Sequence, residues 1–409
     1  MLITVGQLLY GPAGARSTDA AVLVHDGKIV QVGPRDQVTA AAPATVPALD
    51  FPGATLLPGL IDGHVHLSFD AGADPVGNLL ATDEAELLTG MATRAGQLLA
   101  SGVTTVRDLG DRAGAAVRLR TEIDAGRLPG PRILAAVAPL TPPGGHCWFL
   151  GGEVGDDAAI RERIRRNIAA GADVLKVMVS GGHITEGGAA MWESQFTTAQ
   201  LTLMVDEAAR YGVPVAAHAH SADSIAAAVA AGVDTVEHCL WLDGPEGVDR
   251  RTTVARQMAD RGIAVCGTLC GHDWRAKLAE QGSAATRAFY DRLCWLDELG
   301  VPLIAGTDAG IPMAAFDDYV GMLELYRWLG FSPERVLELA TVDSAHGLGL
   351  SATTGRIAPG LDADLLVVAG DPATDLSALR AVRLVLAKGR PHHRTGHERP
   401  PRQPARTAR

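Results

Sequence analysis

Apolar runs of strand length alternate with helical stretches through the middle of the chain. Stretches such as TAQLTLMVDEAARYG and SADSIAAAVAAG have the helical pattern. Repeated strand–helix units are typical of α/β proteins built on a parallel sheet. The apolar runs are LLPGLIDGHVHL (56–67), GVTTVRDLG (102–110), PRILAAV (131–137), DVLKVMVS (173–180), VPVAAHAH (213–220), DTVEHC (234–239), IAVCGTL (263–269) and VPLIAGTD (301–308).

The number of these runs favours a particular α/β fold. Eight strand–helix units over about 290 residues match a (β/α)8 barrel, also called a TIM barrel. An open doubly wound sheet also alternates strands and helices, so periodicity alone leaves both architectures open.

The two ends of the chain are patterned as short strands. TDAAVLVHDGKIVQVGP near the start contains Asp26 and Gly27, a pair that predicts a hairpin turn. GRIAPGLDADLLVVAGDP and AVRLVLAKGR give similar strands near the other end. We therefore expect both ends to build one small β-sandwich domain. The expected boundaries are 1–57 plus 350–392 for this domain, 58–349 for the barrel and 393–409 for a disordered, Pro- and Arg-rich tail.

Composition excludes several classes of protein. The chain has 409 residues, 47% hydrophobic and 20% charged, as is ordinary for a globular protein. Its formal net charge of −11 disfavours nucleic acid and anionic membranes as partners. The N-terminal MLITVGQLLYGPAG lacks the basic region of a signal peptide, and no apolar run is long enough to span a membrane. We therefore expect a cytoplasmic protein whose five cysteines are reduced thiols.

Side chains able to bind metal fall at the ends of several predicted strands, where a (β/α)8 barrel carries its catalytic groups. His64 and His66 have the i, i+2 spacing that turns two side chains of a strand toward one face. His218, His238 and Asp308 end later runs. These nitrogen and oxygen ligands suit Zn²⁺ or a similar divalent ion. The two histidines of the first run, taken alone, could instead be buried and simply hydrogen-bonded.

Lys176 lies inside the apolar run DVLKVMVS, where a charged amine is costly to bury without a partner. Two interpretations are open. The residue is either a salt-bridged core lysine or a lysine whose amine has reacted with CO2 to give a carbamate, which can bridge two cations. Together with the four histidines and the aspartate, it predicts a metal centre.

These motifs resemble those of the amidohydrolase superfamily, in the branch of prolidase-like and imidazolonepropionase-like proteins. The resemblance spans almost the whole chain. It is carried by LLPGLIDGHVHL, GVTTVRDLG, LKVMVSGG, WESQF, VPVAAHAH, AGVDTVEH, AGTDAG and GRIAPGLDADLLVV.

The resemblance implies a pair of divalent ions, usually zinc. One ion would be held by His64, His66 and Asp308, and the more exposed one by His218 and His238. An N-carboxylated lysine, Lys176 in the motif LKVMVSGG, would bridge both ions together with a hydroxide. Mononuclear members of the superfamily, which include many deaminases, generally lack this lysine.

The activity that the resemblance implies is hydrolysis of a C–N bond of amide or peptide type. The bridging hydroxide would attack a carbonyl, with Asp308 as general base and His146 as a hydrogen-bonding partner of the carbonyl oxygen. Expected substrates are dipeptides, N-acyl amino acids and related small amides. Aryl amides, carbamates, ureas, cyclic amides and mononuclear deamination are the alternatives. A non-enzymatic scaffold is disfavoured because all six ligands are present.

Four residues on loops or strand ends are candidates for contact with a small-molecule substrate: His146, His183, His220 and Trp192. Three of them have a structural alternative. His220 could begin a helix, His183 could be a solvated loop residue, and the loop of Trp192 could pack on its own helix.

A free carboxylate on the substrate would need a cationic or hydroxyl partner. Arg107, Arg275, His183 and Tyr319 are available, and none is favoured. Arg107 is more simply explained as a structural residue that pairs with Asp108 or with a neighbouring strand end. Barrels of this size often associate, so we also expect a homo-oligomer.

Overall fold

The computed structural model describes residues 1–392, and the predicted tail at 393–409 lies outside them. The strands of the described part are β1 (Leu2–Leu9), β2 (Arg16–His25), β3 (Lys28–Pro34), β4 (Ala48–Pro58), β5 (Leu60–Val65), β6 (Val103–Asp108), β7 (Arg132–Ala135), β8 (Leu175–Met178), β9 (Val215–Ser221), β10 (Thr235–Asp243), β11 (Gly247–Val248), β12 (Ala264–Cys266), β13 (Leu303–Ile304), β14 (Leu365–Ala369), β15 (Val382–Ala387) and β16 (Arg390–His392). The α-helices are α1 (Arg35–Ala41), α2 (Pro75–Ala81), α3 (Glu84–Ala100), α4 (Ala115–Asp124), α5 (Asp157–Ala169), α6 (Thr198–Ala209), α7 (Ala222–Ala231), α8 (Thr252–Arg261), α9 (Gly271–Tyr290), α10 (Arg292–Glu298), α11 (Tyr319–Leu329), α12 (Pro333–Glu338) and α13 (Ser344–Gly347).

Eight parallel strands form a closed barrel, which confirms the predicted fold. Strands β5, β6 and β7 pair in that order, and β8, β9, β10, β12 and β13 pair as a second series. A bridge from Leu140, in the segment after β7, to Val177 of β8 closes one joint, and a bridge from Val65 of β5 to Ala309, in the segment after β13, closes the other. Because the sheet closes at both joints, the open doubly wound alternative is excluded.

The first apolar run divides between two sheets. Its opening residues belong to β4 of the small β domain built from both ends of the chain, which we call the terminal domain. The barrel begins at Leu60. Gly59 lies between them, and a Cβ added there would lie 2.1 Å from Oγ1 of Thr104. The chain therefore passes from one sheet to the other at a residue where β6 leaves no room for a side chain.

Both ends of the chain build one seven-stranded sheet in the order β16-β15-β14-β4-β1-β2-β3. Strand β4 joins the halves, because it is parallel to β1 and antiparallel to β14. At the far side, Ile29 N donates to Leu361 O and Ala363 N donates to Gly27 O. The sheet thus folds over a common apolar core as the predicted sandwich.

Amphipathic helices cover the barrel, and α3 shows why they form where they do. Asp83 caps the helix by accepting hydrogen bonds from the backbone N–H groups of Ala85 and Glu86. Its buried residues recur every three or four positions, from Leu87 to Leu99, and pack in the main core. Among residues 1–392, no helix is both long enough and apolar enough to cross a membrane. All five cysteines are free thiols.

Candidate metal centre

The carboxyl ends of β5 and β13 bring three of the predicted ligands together. Nε2 of His64 and Nε2 of His66 each lie 3.4 Å from Oδ1 of Asp308. All three side chains are buried. Asp308 has a φ of 61°, a left-handed conformation that non-glycine residues adopt mainly at tight turns and functional sites. We call these three residues the aspartate group, and they can act as ligands of one ion.

Three histidines form a second group, which we call the histidine group. His218 and His220 lie on β9 and His238 lies on β10, with one nitrogen of each within 4.8 Å of the others. Nε2 of His238 is 2.8 Å from Nδ1 of His218, and the rings of His220 and His238 stack at 4.4 Å. The interpretation of His220 as a helix-start residue is wrong, because α7 begins at Ala222 after the N-cap Ser221.

Lys176 on β8 lines the same cleft as both groups. Its side chain is fully buried, and its Nζ has no hydrogen-bond partner among the described residues. The salt-bridged interpretation is therefore wrong within residues 1–392, where no carboxylate pairs with this amine. Burial lowers the pKa of Lys176, which favours the neutral amine, the form that can react with CO2.

Burial also favours the neutral form of three of these imidazoles, those of His64, His218 and His238. It lowers the pKa of His64 to about 4 and holds the pKa values of His218 and His238 well below the ordinary value. A neutral imidazole has the lone pair that binds a metal ion. Burial alone would raise the pKa of Asp308, but its neighbours His64 and His66 outweigh burial and keep the carboxylate ionised. The donor set and the unpaired Nε2 of His64 therefore fit divalent cations.

A buried ion pair supports the aspartate group, and sequence analysis missed its acidic member, Glu237. Oε2 of Glu237 lies 2.8 Å from Nδ1 of His64, and its Oε1 accepts from Nη2 of Arg107 at 2.8 Å. Arg107 has the expected structural role and reaches the neighbouring strand β5, where its Nε donates to Gly63 O at 2.7 Å, but its ion pair is with Glu237 on β10 across the barrel and not with Asp108. The signal was available, since Glu237 is an acidic residue inside an apolar run, as Lys176 is a basic one.

His146 lies beside the histidine group. Its ring centroid is 4.7 Å from that of His218, and its Nδ1 is 3.0 Å from Oγ1 of Thr185. Burial lowers the pKa of His146 to about 3, so the ring is neutral near pH 7. A Cβ added at Gly182 would lie 2.4 Å from ring atoms of His146, so the backbone of the loop after β8 packs directly against this imidazole.

The centre opens into a cleft of about 290 Å³. His183 lines this cleft from an exposed position. The loop at 191–196 contributes Met191, whereas Trp192 is 40% exposed and does not line the cleft. His220 is buried in the cleft wall, and its Nδ1 has no partner among the described residues. The structure thus brings three of the four predicted substrate-contact residues to the cleft.

Comparison with known families identifies the class of protein. Residues 55–391 match the amidohydrolase family, and residues 20–44 match an imidazolonepropionase-like composite domain of bacteria. The first match includes all six predicted ligands. The chain belongs to the amidohydrolase family, in its imidazolonepropionase-like and prolidase-like branch, and is a metal-dependent hydrolase.

Individual relatives cover nearly the whole chain. An ochratoxinase of Aspergillus niger is 26% identical over 432 residues, covering 94% of this chain and 84% of the relative. An imidazolonepropionase of Cereibacter sphaeroides is 28% identical over 394 residues, covering 88% and 90%. The crystal structure of a Xaa-Pro dipeptidase with bound methionine is similar at a TM-score of 0.82 and 26% identity, covering 96% of this chain and 99% of that one.

Proposed function

We propose that this chain is a binuclear metal-dependent hydrolase that cleaves the amide C–N bond of dipeptides, N-acyl amino acids or related small amides. The aspartate group would hold one ion, and His218 and His238 would hold the other. Zinc is the expected metal, and Lys176, once N-carboxylated, would supply carbamate oxygens as further ligands. His220 remains available to the substrate.

One observation carries this proposal: a fully buried lysine amine, which has no partner among residues 1–392, lines the same cleft as members of two sets of metal ligands. A buried ammonium without a counter-charge is strongly unfavourable. A carbamate on Nζ removes that charge and supplies two oxygen atoms, which are ligands for divalent ions. The same residue argues against a mononuclear deaminase, which has no use for a bridging ligand.

The side chains around the centre have separable tasks. Two divalent ions, when bound, would supply an ionised water as nucleophile and polarise the substrate carbonyl. Asp308 would accept the remaining proton of this hydroxide as it adds to the carbonyl carbon and pass it to the leaving nitrogen as the C–N bond breaks. Cys147 N–H donates to Oγ1 of Thr185 at 2.9 Å, and the Thr185 hydroxyl lies 3.0 Å from Nδ1 of His146; we propose that it donates to this nitrogen. This arrangement leaves a proton on Nε2 of His146, which can donate to the carbonyl oxygen.

Two lines of support favour small amides as substrates. The cleft has apolar walls at Met178, Ile184 and Leu240 beside its polar floor, as small-molecule sites usually have. The Xaa-Pro dipeptidase in the comparison is, by its name, an enzyme that acts on dipeptides. The imidazolonepropionase relative makes cyclic amides the second class to examine, and carbamates, ureas and aryl amides follow.

Metal content tests the proposal directly. Protein purified without chelator, with bicarbonate present, is expected to contain about two equivalents of metal by mass spectrometry. Lys176→Ala is expected to lose most of this metal and the hydrolytic activity, because the bridging carbamate is gone. Added propionate, whose carboxylate can occupy the vacated space, is expected to restore part of both. With ¹³C-bicarbonate, the wild type alone is expected to show a protein-bound carbamate signal by NMR.

Lys277→Ala is the matched control, because Lys277 lines the same cleft but pairs with Asp273 at 2.5 Å. It is expected to retain its metal. One equivalent of metal in both the wild type and Lys176→Ala would contradict the binuclear centre and direct the search to deaminase and cyclic amide substrates. A two-metal wild type that hydrolyses no dipeptide or N-acyl amino acid would contradict the substrate class alone.

A further inference from the structure

We propose that Arg292 binds a free carboxylate of the substrate, next to the amide that is cleaved. The inference rests on the proposed function and narrows its substrates to acyl derivatives of amino acids with an ionised terminal carboxylate. Arg292 belongs to α10 and lines the cleft above the metal centre. Arg292 was not among the residues predicted as partners for such a carboxylate.

The charge of Arg292 is buried and unmatched. The residue is 3% exposed, and no carboxylate of the described residues forms an ion pair with it. The acidic neighbour Asp291 pairs instead with Arg250. A guanidinium cannot escape burial by losing its proton, so proteins normally supply it with an anion. Among the described residues, the two carboxylates that line the cleft, Asp273 and Asp308, pair with other side chains and not with Arg292.

The hydrogen bonds of the guanidinium are also incomplete. Its Nη1 donates to Phe289 O at 2.9 Å, while Nη2 reaches the carbonyls of Gly267 and His238 only at 3.3 and 3.5 Å. Nε has no partner among the described residues. A guanidinium has five N–H donors in a planar fork that fits a carboxylate with two parallel hydrogen bonds. Arg292 thus retains donor capacity for an anion in the cleft.

Aromatic rings shape the surroundings of this charge. The guanidinium lies 5.5 Å from the ring centroid of Phe289 and 5.9 Å from that of Tyr290. Aromatic rings stabilise a cation without neutralising it. They therefore keep the arginine in place while leaving its charge available to a ligand.

The other cationic groups of the cleft already have partners or roles. Lys277 pairs with Asp273, and Lys176 is assigned to the metal centre. His183 is exposed and bears a formal charge only when protonated. Within the described part of the cleft, Arg292 is therefore the permanent cation without an anionic partner.

The remaining sequence-based candidates are excluded by their contacts. Arg107 forms its ion pair with Glu237, and Arg275 forms ion pairs with Asp318 and Glu324. The hydroxyl of Tyr319 donates to Ile61 O at 2.6 Å and lies buried beneath the centre. None of these three residues lines the cleft.

Kinetics on matched substrates test the proposal. Each N-acyl amino acid of the screen is compared with its terminal carboxamide, which has the same shape but no charge. The wild type is expected to prefer the carboxylate by about 10-fold or more in kcat/KM. Arg292→Met is expected to lower kcat/KM for the carboxylate by about 10–100-fold, mainly through KM, and to leave the carboxamide nearly unchanged.

Two further variants separate the charge of the guanidinium from its shape and control for the loss of a surface arginine. Arg292→Lys keeps the charge but loses the fork, so it is expected to retain part of the preference. Arg287→Met is the matched control, because Arg287 is exposed on α9 and also donates to backbone carbonyls, outside the cleft. Metal content and the unfolding midpoint are measured for every variant. The carboxylate-to-carboxamide ratio is independent of the folded fraction, so partial misfolding cannot produce the expected result.

The outcomes separate the two proposals. If Arg292→Met lowers activity on both substrates equally, the arginine only holds the backbone of His238 and Gly267, and the carboxylate-binding proposal is overturned. A wild type that hydrolyses amides with no preference for the carboxylate overturns it as well. A two-metal wild type that hydrolyses no amide overturns the proposed function itself.

Discussion

At the scale of single residues, Glu237 contributes both to the stability of the fold and to the orientation of a metal ligand. It lies between the imidazole of His64 and the guanidinium of Arg107, and it also accepts from the Thr235 hydroxyl at 2.6 Å. Burial raises its pKa, but Arg107 and His64 outweigh burial, and the pKa lies below its ordinary value. The ionised carboxylate fixes the proton of His64 on Nδ1 and so directs the Nε2 lone pair to a metal ion.

Replacing Glu237 by Gln is therefore expected to have two effects. It leaves Arg107 buried without a counter-charge, which costs about 3–5 kcal/mol of the free energy of unfolding. It also removes the carboxylate that orients His64, so metal affinity is expected to fall by about 10–100-fold. Denaturant unfolding of the metal-free protein measures the first effect, and competition with a metal-binding dye measures the second.

Glu207→Gln is the control for this prediction. Glu207 pairs with Arg161 at 2.9 Å, but Arg161 is 43% exposed and the pair lies away from the centre. We expect this variant to lose about 1 kcal/mol or less and to bind metal normally. Unchanged metal affinity in Glu237→Gln would show that the orientation of His64 does not depend on the Glu237 carboxylate.

At the scale of elements, the loop after β8 fixes the position of His146, which comes from the loop after β7. The contact is between the ring and the backbone at Gly182, where no side chain fits. Gln195 of the same loop region accepts from the backbone N–H of His146 at 2.8 Å. The loop after β8 therefore contacts both the ring and the backbone of His146.

Gly182→Ala tests this packing. The added methyl group is expected to displace the imidazole and to lower kcat by about 10²-fold, the loss typical of one missing hydrogen-bond donor at a reacting oxygen. Metal content is expected to stay unchanged, because His146 is outside both ligand groups. Gly155→Ala is the control, since a Cβ there would make only an ordinary contact with Pro143 at 3.8 Å. Loss of metal together with activity would contradict the assigned role of His146.

The secondary-structure elements also explain which site residues could be predicted from the sequence and which could not. His64, His66 and Asp308 were predictable because strand periodicity places them at the carboxyl ends of barrel strands. Arg292 was not, since it reaches the cleft through the packing of α10, a helix whose position no local pattern determines. The position of Trp192 outside the cleft lining was not predictable for a related reason: an aromatic residue in a loop has no periodicity that indicates which side faces the cleft.

At the scale of the molecule, the chain ends share one sheet and the barrel is attached to it. The existence of this composite domain was predictable from two sets of strand patterns at opposite ends. Its strand order was not, because parallel pairing of β1 with β4 depends on long-range contacts. The attachment includes Arg132 of β7, whose Nη2 lies 2.6 Å from Asp362 and 3.0 Å from Asp364 of the terminal domain.

This attachment predicts a pH-dependent loss of stability. Burial raises the pKa of Asp362, but its hydrogen bonds with Lys28 and Arg132 outweigh burial and lower the pKa. A carboxyl group whose pKa is lower in the folded state stabilises the protein above its unfolded pKa of about 4. That contribution is lost as the pH falls through the lower, folded value.

Arg132→Met is therefore expected to destabilise the metal-free protein by about 3 kcal/mol near pH 7, and the difference from the wild type is expected to shrink below about pH 4. Unfolding by denaturant between pH 7 and pH 3 measures this difference, with chelator present so that metal loss does not contribute. Arg127→Met removes an exposed pair with Glu122 within the barrel and is expected to cost about 1 kcal/mol or less. The prediction is contradicted if the free energies of unfolding of Arg132→Met and the wild type differ as much at pH 3 as at pH 7. Arg132 would then join the two domains by packing, and its ion pairs would contribute nothing.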